Sequence, residues 1–108
     1  MTTYAVTWRE PGGQTFVGRL ALGPGALRLE GRRRGAEEPA VERRLGYGEL
    51  RGLRVGTRGA DRLDGRPTVV VESSDGPFLV AGAGIGVPIV HELADRLAVR
   101  RLAASTGS

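Results

Sequence analysis

Through residue 82 the chain alternates apolar and polar residues with a period of two, broken by turns rich in glycine and proline. That pattern predicts a succession of short β-strands. Tyr4, Val6 and Trp8 share one face, Ala5, Thr7 and Arg9 the other, and Pro11-Gly12-Gly13 ends the run. Phe16, Gly18, Leu20 and Leu22 then alternate with Val17, Arg19 and Ala21 as far as Gly23-Pro24-Gly25. Leu27 and Leu29 face inward against Arg28 and Glu30. A polar loop is expected from Gly31 to Pro39, carrying Arg32-Arg33-Arg34 and Glu37-Glu38. Val41, Arg43, Leu45 and Tyr47 resume the alternation, a bend follows near Gly48, and Leu53 and Val55 mark the next strand. A second charged loop is expected from Gly56 to Pro67. In Thr68–Ser73 the run Val69-Val70-Val71 predicts burial on both faces. Asp75-Gly76 signals a hairpin into Phe78, Leu79 and Val80. The count is seven strands.

After Gly86 the period changes. At 100° per residue Val87, Ile89, Val90, Leu93, Ala94 and Leu97 form an apolar stripe, with His91, Glu92, Asp95 and Arg96 opposite, which predicts a helix from about residue 87 to 100. Pro88 suits its first turn, Glu92 and Arg96 are spaced for a surface pair, and Arg100 and Arg101 sit where cations complement the helix dipole. The reading is one domain over residues 1–102 and a flexible tail over 103–108.

Composition narrows the function classes. The chain has 108 residues and no cysteine, which removes thiol catalysis, disulfides and thiolate metal sites, and makes a reducing cytoplasm the simplest expected location. All 16 basic residues are arginine, and lysine and asparagine are absent. With 18 glycines this resembles GC-rich, actinobacterial-like coding more than selection for a ligand. A net charge of +4 is a mild excess, not the footprint of a dedicated nucleic-acid binder, and stacking aromatics are few, so no nucleic-acid partner is expected. The N-terminal residues do not read as a targeting segment, and the uncharged stretch of residues 77–90 is too short to span a bilayer.

Seven short antiparallel strands followed by one amphipathic helix resembles the element order of a pleckstrin-homology-like (PH-like) domain of bacterial type. The segments that carry the resemblance are Gly18-Arg19-Leu20 through Leu27-Arg28-Leu29, Arg44-Leu45-Gly46-Tyr47-Gly48-Glu49-Leu50, the hairpin from Val69 to Val80, and Val87 to Leu97. It covers roughly residues 4 to 100. It implies a mainly β fold: a seven-stranded antiparallel barrel of two orthogonal sheets, capped by one C-terminal α-helix. Relatives of this fold bind phosphoinositides, peptides or other proteins, so the fold alone carries no function. Transferred by position, the family's headgroup-binding loops hold Arg9, Arg32, Arg33 and Arg34, and those four are the candidate anion- or lipid-binding residues. The first loop lacks the family's basic cluster, and Glu10, Glu37, Glu38 and Asp75 oppose an anion.

Catalytic constellations are incomplete. Gly82-Ala83-Gly84-Ile85-Gly86 precedes a helix but has the wrong spacing for a dinucleotide loop, and no strand follows to make a βαβ unit. His91-Glu92-Leu93-Ala94-Asp95 places aspartate where a zinc motif needs its second histidine, and His91 is the sole histidine in the chain. Ser73 and Ser74 lie far along the sequence from His91, and Asp61 and Asp64 sit in a loop read as mobile. No catalytic residue, metal or cofactor is therefore expected. The expected function is a non-catalytic binding or scaffolding module for a protein, a peptide or another copy of itself, docking on a strand edge or beside the helix. The alternative is electrostatic binding of anionic lipid headgroups or nucleic acid through Arg32–Arg34.

Overall fold

A computed structural model describes residues 2–83 and 88–106. Among them are seven strands: β1 Thr2–Arg9, β2 Thr15–Leu22, β3 Ala26–Arg33, β4 Val41–Gly46, β5 Gly52–Gly56, β6 Thr68–Ser73 and β7 Gly76–Gly82, followed by the helix α1, Pro88–Thr106. All neighbours are antiparallel, in the order β4-β3-β2-β1-β7-β6-β5. The two meanders β1–β4 and β5–β7 join through β1 and β7, with Val6 opposite Gly82 and Arg9 opposite Leu79. The sheet curls into a half-barrel around one apolar core.

Alternation puts the expected residues inside. Tyr4, Val6 and Trp8, Phe16, Leu20 and Leu22, Leu27 and Leu29, Val69 and Val71, and Phe78 and Val80 form one cluster with Val90, Leu93 and Leu97 of α1. Trp8 and Phe16 stack at 5.2 Å between ring centroids. The helix closes one end of the half-barrel, packing on β5, β6, β7 and a 3-10 turn at Tyr47–Glu49. Tyr47 pins that turn, donating its buried hydroxyl to the Gly23 carbonyl at 2.8 Å. Of the helix stripe, Leu93 and Leu97 are fully buried, while Ile89 and Ala94 are partly so.

The structure departs from the sequence pattern in four places. First, β3 continues through Arg33 where a loop was expected, because β2 supplies partners that far: Gly18 opposite Gly31, Val17 opposite Arg32 and Phe16 opposite Arg33. The glycine pair permits this. A Cβ on Gly18 would lie 2.0 Å from the Glu30 carbonyl oxygen, and one on Gly31 would lie 2.3 Å from that of Val17. Second, the segment between β5 and β6 is organised. Leu63 is only 1% exposed, and Leu63 and Arg66 exchange backbone hydrogen bonds of 3.0 Å around Asp64 (φ +53°) and Gly65 (φ +76°). Positive φ at both central residues is the signature of a type I′ turn. Third, Ser74 and Asp75, not Asp75 and Gly76, form the tip of the last hairpin; Ser73 pairs with Gly76, whose φ is +121°.

Fourth, α1 runs to Thr106, into the segment expected as a tail. Arg100 and Arg101 consequently fall short of its last turn. Arg101 instead donates to the carbonyls of Leu50 and Arg51, both at 3.2 Å, tying the helix to the start of β5. In the glycine-rich connection Gly82–Gly86, residues 84–86 lie outside the described residues, as does Val87 of the helix stripe.

Candidate functional site

The four arginines singled out from the sequence separate in space. Arg32 and Arg33 are consecutive residues of an extended strand, so their side chains leave opposite faces of the sheet. Arg33 approaches Glu38 at 3.6 Å. Arg34 follows the end of β3 and donates to Asp64 in the segment between β5 and β6. That hydrogen bond holds the Asp64 carboxyl below the usual carboxylate range, with the charges of Arg34, Arg9 and Arg66 acting in the same direction. Arg34 alone contacts that carboxylate, while Arg9 and Arg66 act on it by charge, and Arg66 donates to the Gly82 carbonyl at 3.0 Å. Among the described residues Arg32 forms no ion pair. Two of the four thus face a carboxylate already, and the set does not converge on one point.

The other expected constellations are spread out. His91 and Asp95 are exposed on α1, and Glu92 pairs with Arg96 at 3.1 Å, the spacing the sequence predicts. Ser73 Oγ lies within the last hairpin turn, donating to the Gly76 carbonyl at 3.0 Å and accepting from the Asp75 N–H at 3.2 Å. Asp61 accepts from both Nη atoms of Arg54 at 2.6 and 3.0 Å, which lowers its pKa, and its carbonyl accepts from the Thr68 hydroxyl at 2.6 Å. Among the described residues no group of three or more His, Asp or Glu side chains stands where it could hold a metal ion. No helix there is long and apolar enough to cross a membrane.

The feature that stands out is the open side of the half-barrel. Among the described residues β4 and β5 are the two ends of the sheet order, each paired on one side only. Their inward residues Val41, Leu45, Leu53 and Val55 pack against the core yet are only partly buried, unlike those of the central strands. Between Val41 and Leu45 the same face carries Arg43. Its guanidinium reaches across to Glu10, with Nε to Oε2 at 2.8 Å and Nη2 to Oε1 at 3.3 Å, and its carbon lies 5.8 Å from the Phe16 ring centre. Trp8 Nε1 donates to the same carboxylate at 3.4 Å. The Glu10 side chain is only 12% exposed, so this pair is better shielded than the other ion pairs of the chain's surface. It draws β4 toward the β1–β2 turn, although β2 and β3 intervene in the sheet. Arg43 shares the alternation of Val41 and Leu45, but no sequence signal named Glu10 as its partner.

No protein-family model matches this chain, and no curated protein matches it either.

Proposed function

We propose that the chain is a non-catalytic, PH-like binding or scaffolding module that acts through the open side of its half-barrel. The observation that carries this reading is the pair of unzipped lips. Among the described residues β4 and β5 each lack a neighbouring strand on one side and carry half-buried apolar side chains, the combination that lets an extended segment add to a sheet edge. The PH-like assignment draws support from the strand order and from the helix closing one end. A cytoplasmic location belongs to the same reading and rests on the absence of cysteine.

Binding of an anionic surface through Arg32–Arg34 draws less support, because Arg33 and Arg34 each face a carboxylate of the chain's own. Selection from a displayed peptide library, followed by amide-shift mapping of the winners, separates the two. Extended peptides with alternating apolar residues should move the amides of β4 and β5. The reading fails if no such peptide is selected, while anionic vesicles bind at physiological salt and release the variant in which Arg32, Arg33 and Arg34 are all changed to Ser.

A further inference from the structure

The outer face of β3 and β4 is arranged against itself. Glu30 stands directly opposite Glu42, and Arg28 directly opposite Arg44. Like charges at such positions repel, whereas opposite charges there stabilise a sheet. One diagonal contact, Arg28 to Glu42 at 3.4 Å, relieves the arrangement in part, and both its side chains are more than half exposed. On its other side Glu30 stands opposite Arg19 of β2, whereas among the described residues Arg44 forms no ion pair. Beyond β4 the sheet stops.

The backbone at that edge has a defined phase. The Tyr47 N–H donates to the Gly25 carbonyl at 3.0 Å, in line with the β3–β4 register. Hydrogen-bonded pairs alternate along an antiparallel ladder, so counting in twos from that pair assigns the backbone groups of Leu45, Arg43 and Val41 to β3. Those of Glu42 and Arg44 then point to the open edge, where the Glu42 carbonyl accepts a 3.4 Å contact from Arg43 Nη1 and the Arg44 side chain has no ion-pair partner among the described residues.

Building on the binding-module reading, we infer that the partner of this edge is a second copy of the chain, its β4 pairing antiparallel with the first about a two-fold axis at Arg43. In that register Glu42 faces Arg44 of the second copy, and Arg44 faces its Glu42, so each unfavourable row on the outer face gains an opposite charge. The same pairs exchange backbone hydrogen bonds. On the inner face Val41 meets Leu45 of the second copy. Sliding the register by two residues sets Glu42 against Glu42 or Arg44 against Arg44. Sliding it by one turns apolar residues toward charged ones on the wrong face. An inward charge such as Arg43 ordinarily guards an edge strand. Here Glu10 neutralises it within each copy and holds it over Phe16.

Sedimentation of the full chain over a concentration series, with charge reversals on β4, tests this. Wild type should form a dimer and nothing larger. Glu42→Arg and Arg44→Glu should each weaken self-association at least about tenfold, since every reversal sets like charges opposite each other on both sides of the axis. Mixed in equal amounts, the two variants should associate with each other about as well as wild type does, because positions 42 and 44 then meet opposite charges on both sides of the axis; a misfolded variant would not be rescued by mixing. The inference is overturned by a wild type that stays monomeric across the series. It is equally overturned by a dimer indifferent to both reversals, or by variants that stay apart when mixed. A monomeric wild type whose β4 amides still respond to extended peptides would overturn the second copy as partner and leave the binding-module reading standing.

Discussion

The two halves of the sheet bury different amounts of themselves. In β1–β4 one face lines the core and the other meets water: Leu27 and Leu29 are buried while Arg28 and Glu30, which alternate with them, are exposed. In β6 and β7 both faces are covered. Val69, Val71, Phe78 and Val80 look into the core, and Val70, Leu79 and Ala81, which alternation turns outward, are buried as well. Outward apolar residues stay dry only under a cover. The segment between β5 and β6 supplies it, bringing Leu63 inward and anchoring itself through Arg54–Asp61, Thr68–Asp61 and Arg66–Gly82. A short charged segment with one leucine thus gives β5–β7 a second, smaller core that β1–β4 lacks. The half without a cover carries the charged rows and the open β4 edge. The open β4 edge and the doubly buried strands lie toward opposite ends of one strand order.

This contrast can be broken at four places. The largest effect belongs to the core that both halves share. Leu93→Ala should destabilise the chain by about 2–5 kcal/mol, read as the shift in a denaturant midpoint, because the leucine is 1% exposed and its removal leaves a cavity beneath the helix. A cost below about 1 kcal/mol would mean that the helix does not close the half-barrel.

Next comes the cover. Leu63→Ala should cost about 2–3 kcal/mol and lower amide protection in β6 and β7 more than in β2 and β3. Uniform loss of protection would show that the smaller core is not a separate unit. A smaller effect is electrostatic and confined to the cover. Asp61 and Asp64 are both held below the usual carboxylate range by hydrogen bonds from Arg54 and Arg34. A depressed folded-state pKa stabilises above the unfolded value of about 3.9, and that contribution disappears as pH falls through the folded one. Wild type should therefore exceed the Asp61→Asn, Asp64→Asn double variant in midpoint at pH 7, with the gap closing below about pH 4. Asp64 is exposed and Asp61 partly so, and high salt should shrink the gap too. Smallest of all, Val17→Ala on the uncovered outer face, where the side chain is 44% exposed, should shift stability by about 0.5 kcal/mol or less. A larger loss would reveal a second cover over β1–β4.

Two Asp-Gly dipeptides show how far local signals reach. Asp75-Gly76 lies between two apolar runs and was read as a hairpin; the hairpin exists, with its tip one residue earlier. Asp64-Gly65 has the same chemistry and forms the type I′ turn, yet it sits among charged residues with no alternating strand on either side, so nothing marked it. What makes it a turn is Leu63, which must reach the sheet's outer face. The arginines behave likewise. Residue type nominated Arg9 and Arg32–Arg34 as a group, but strand geometry parts Arg32 from Arg33, and Asp64, thirty positions from Arg34, decides where Arg34 points.

The sequence by itself determined the elements and their inward faces. A period of two or of 3.6 is a property of neighbouring residues, and burying apolar side chains on one side needs no knowledge of what lies opposite. It also put Arg43 in the same alternation as Val41 and Leu45. Tertiary structure alone decided the rest. β3 outlasts its apolar run because β2 offers backbone partners as far as Phe16, and a ladder hydrogen bond is indifferent to the arginine side chain above it. Arg43 tolerates its inward position because the chain turns back after β1 to present Glu10. The charged rows of β3 and β4 come to oppose each other only through their register. Each of these depends on groups distant in the chain meeting in space, and periodicity holds no record of such meetings.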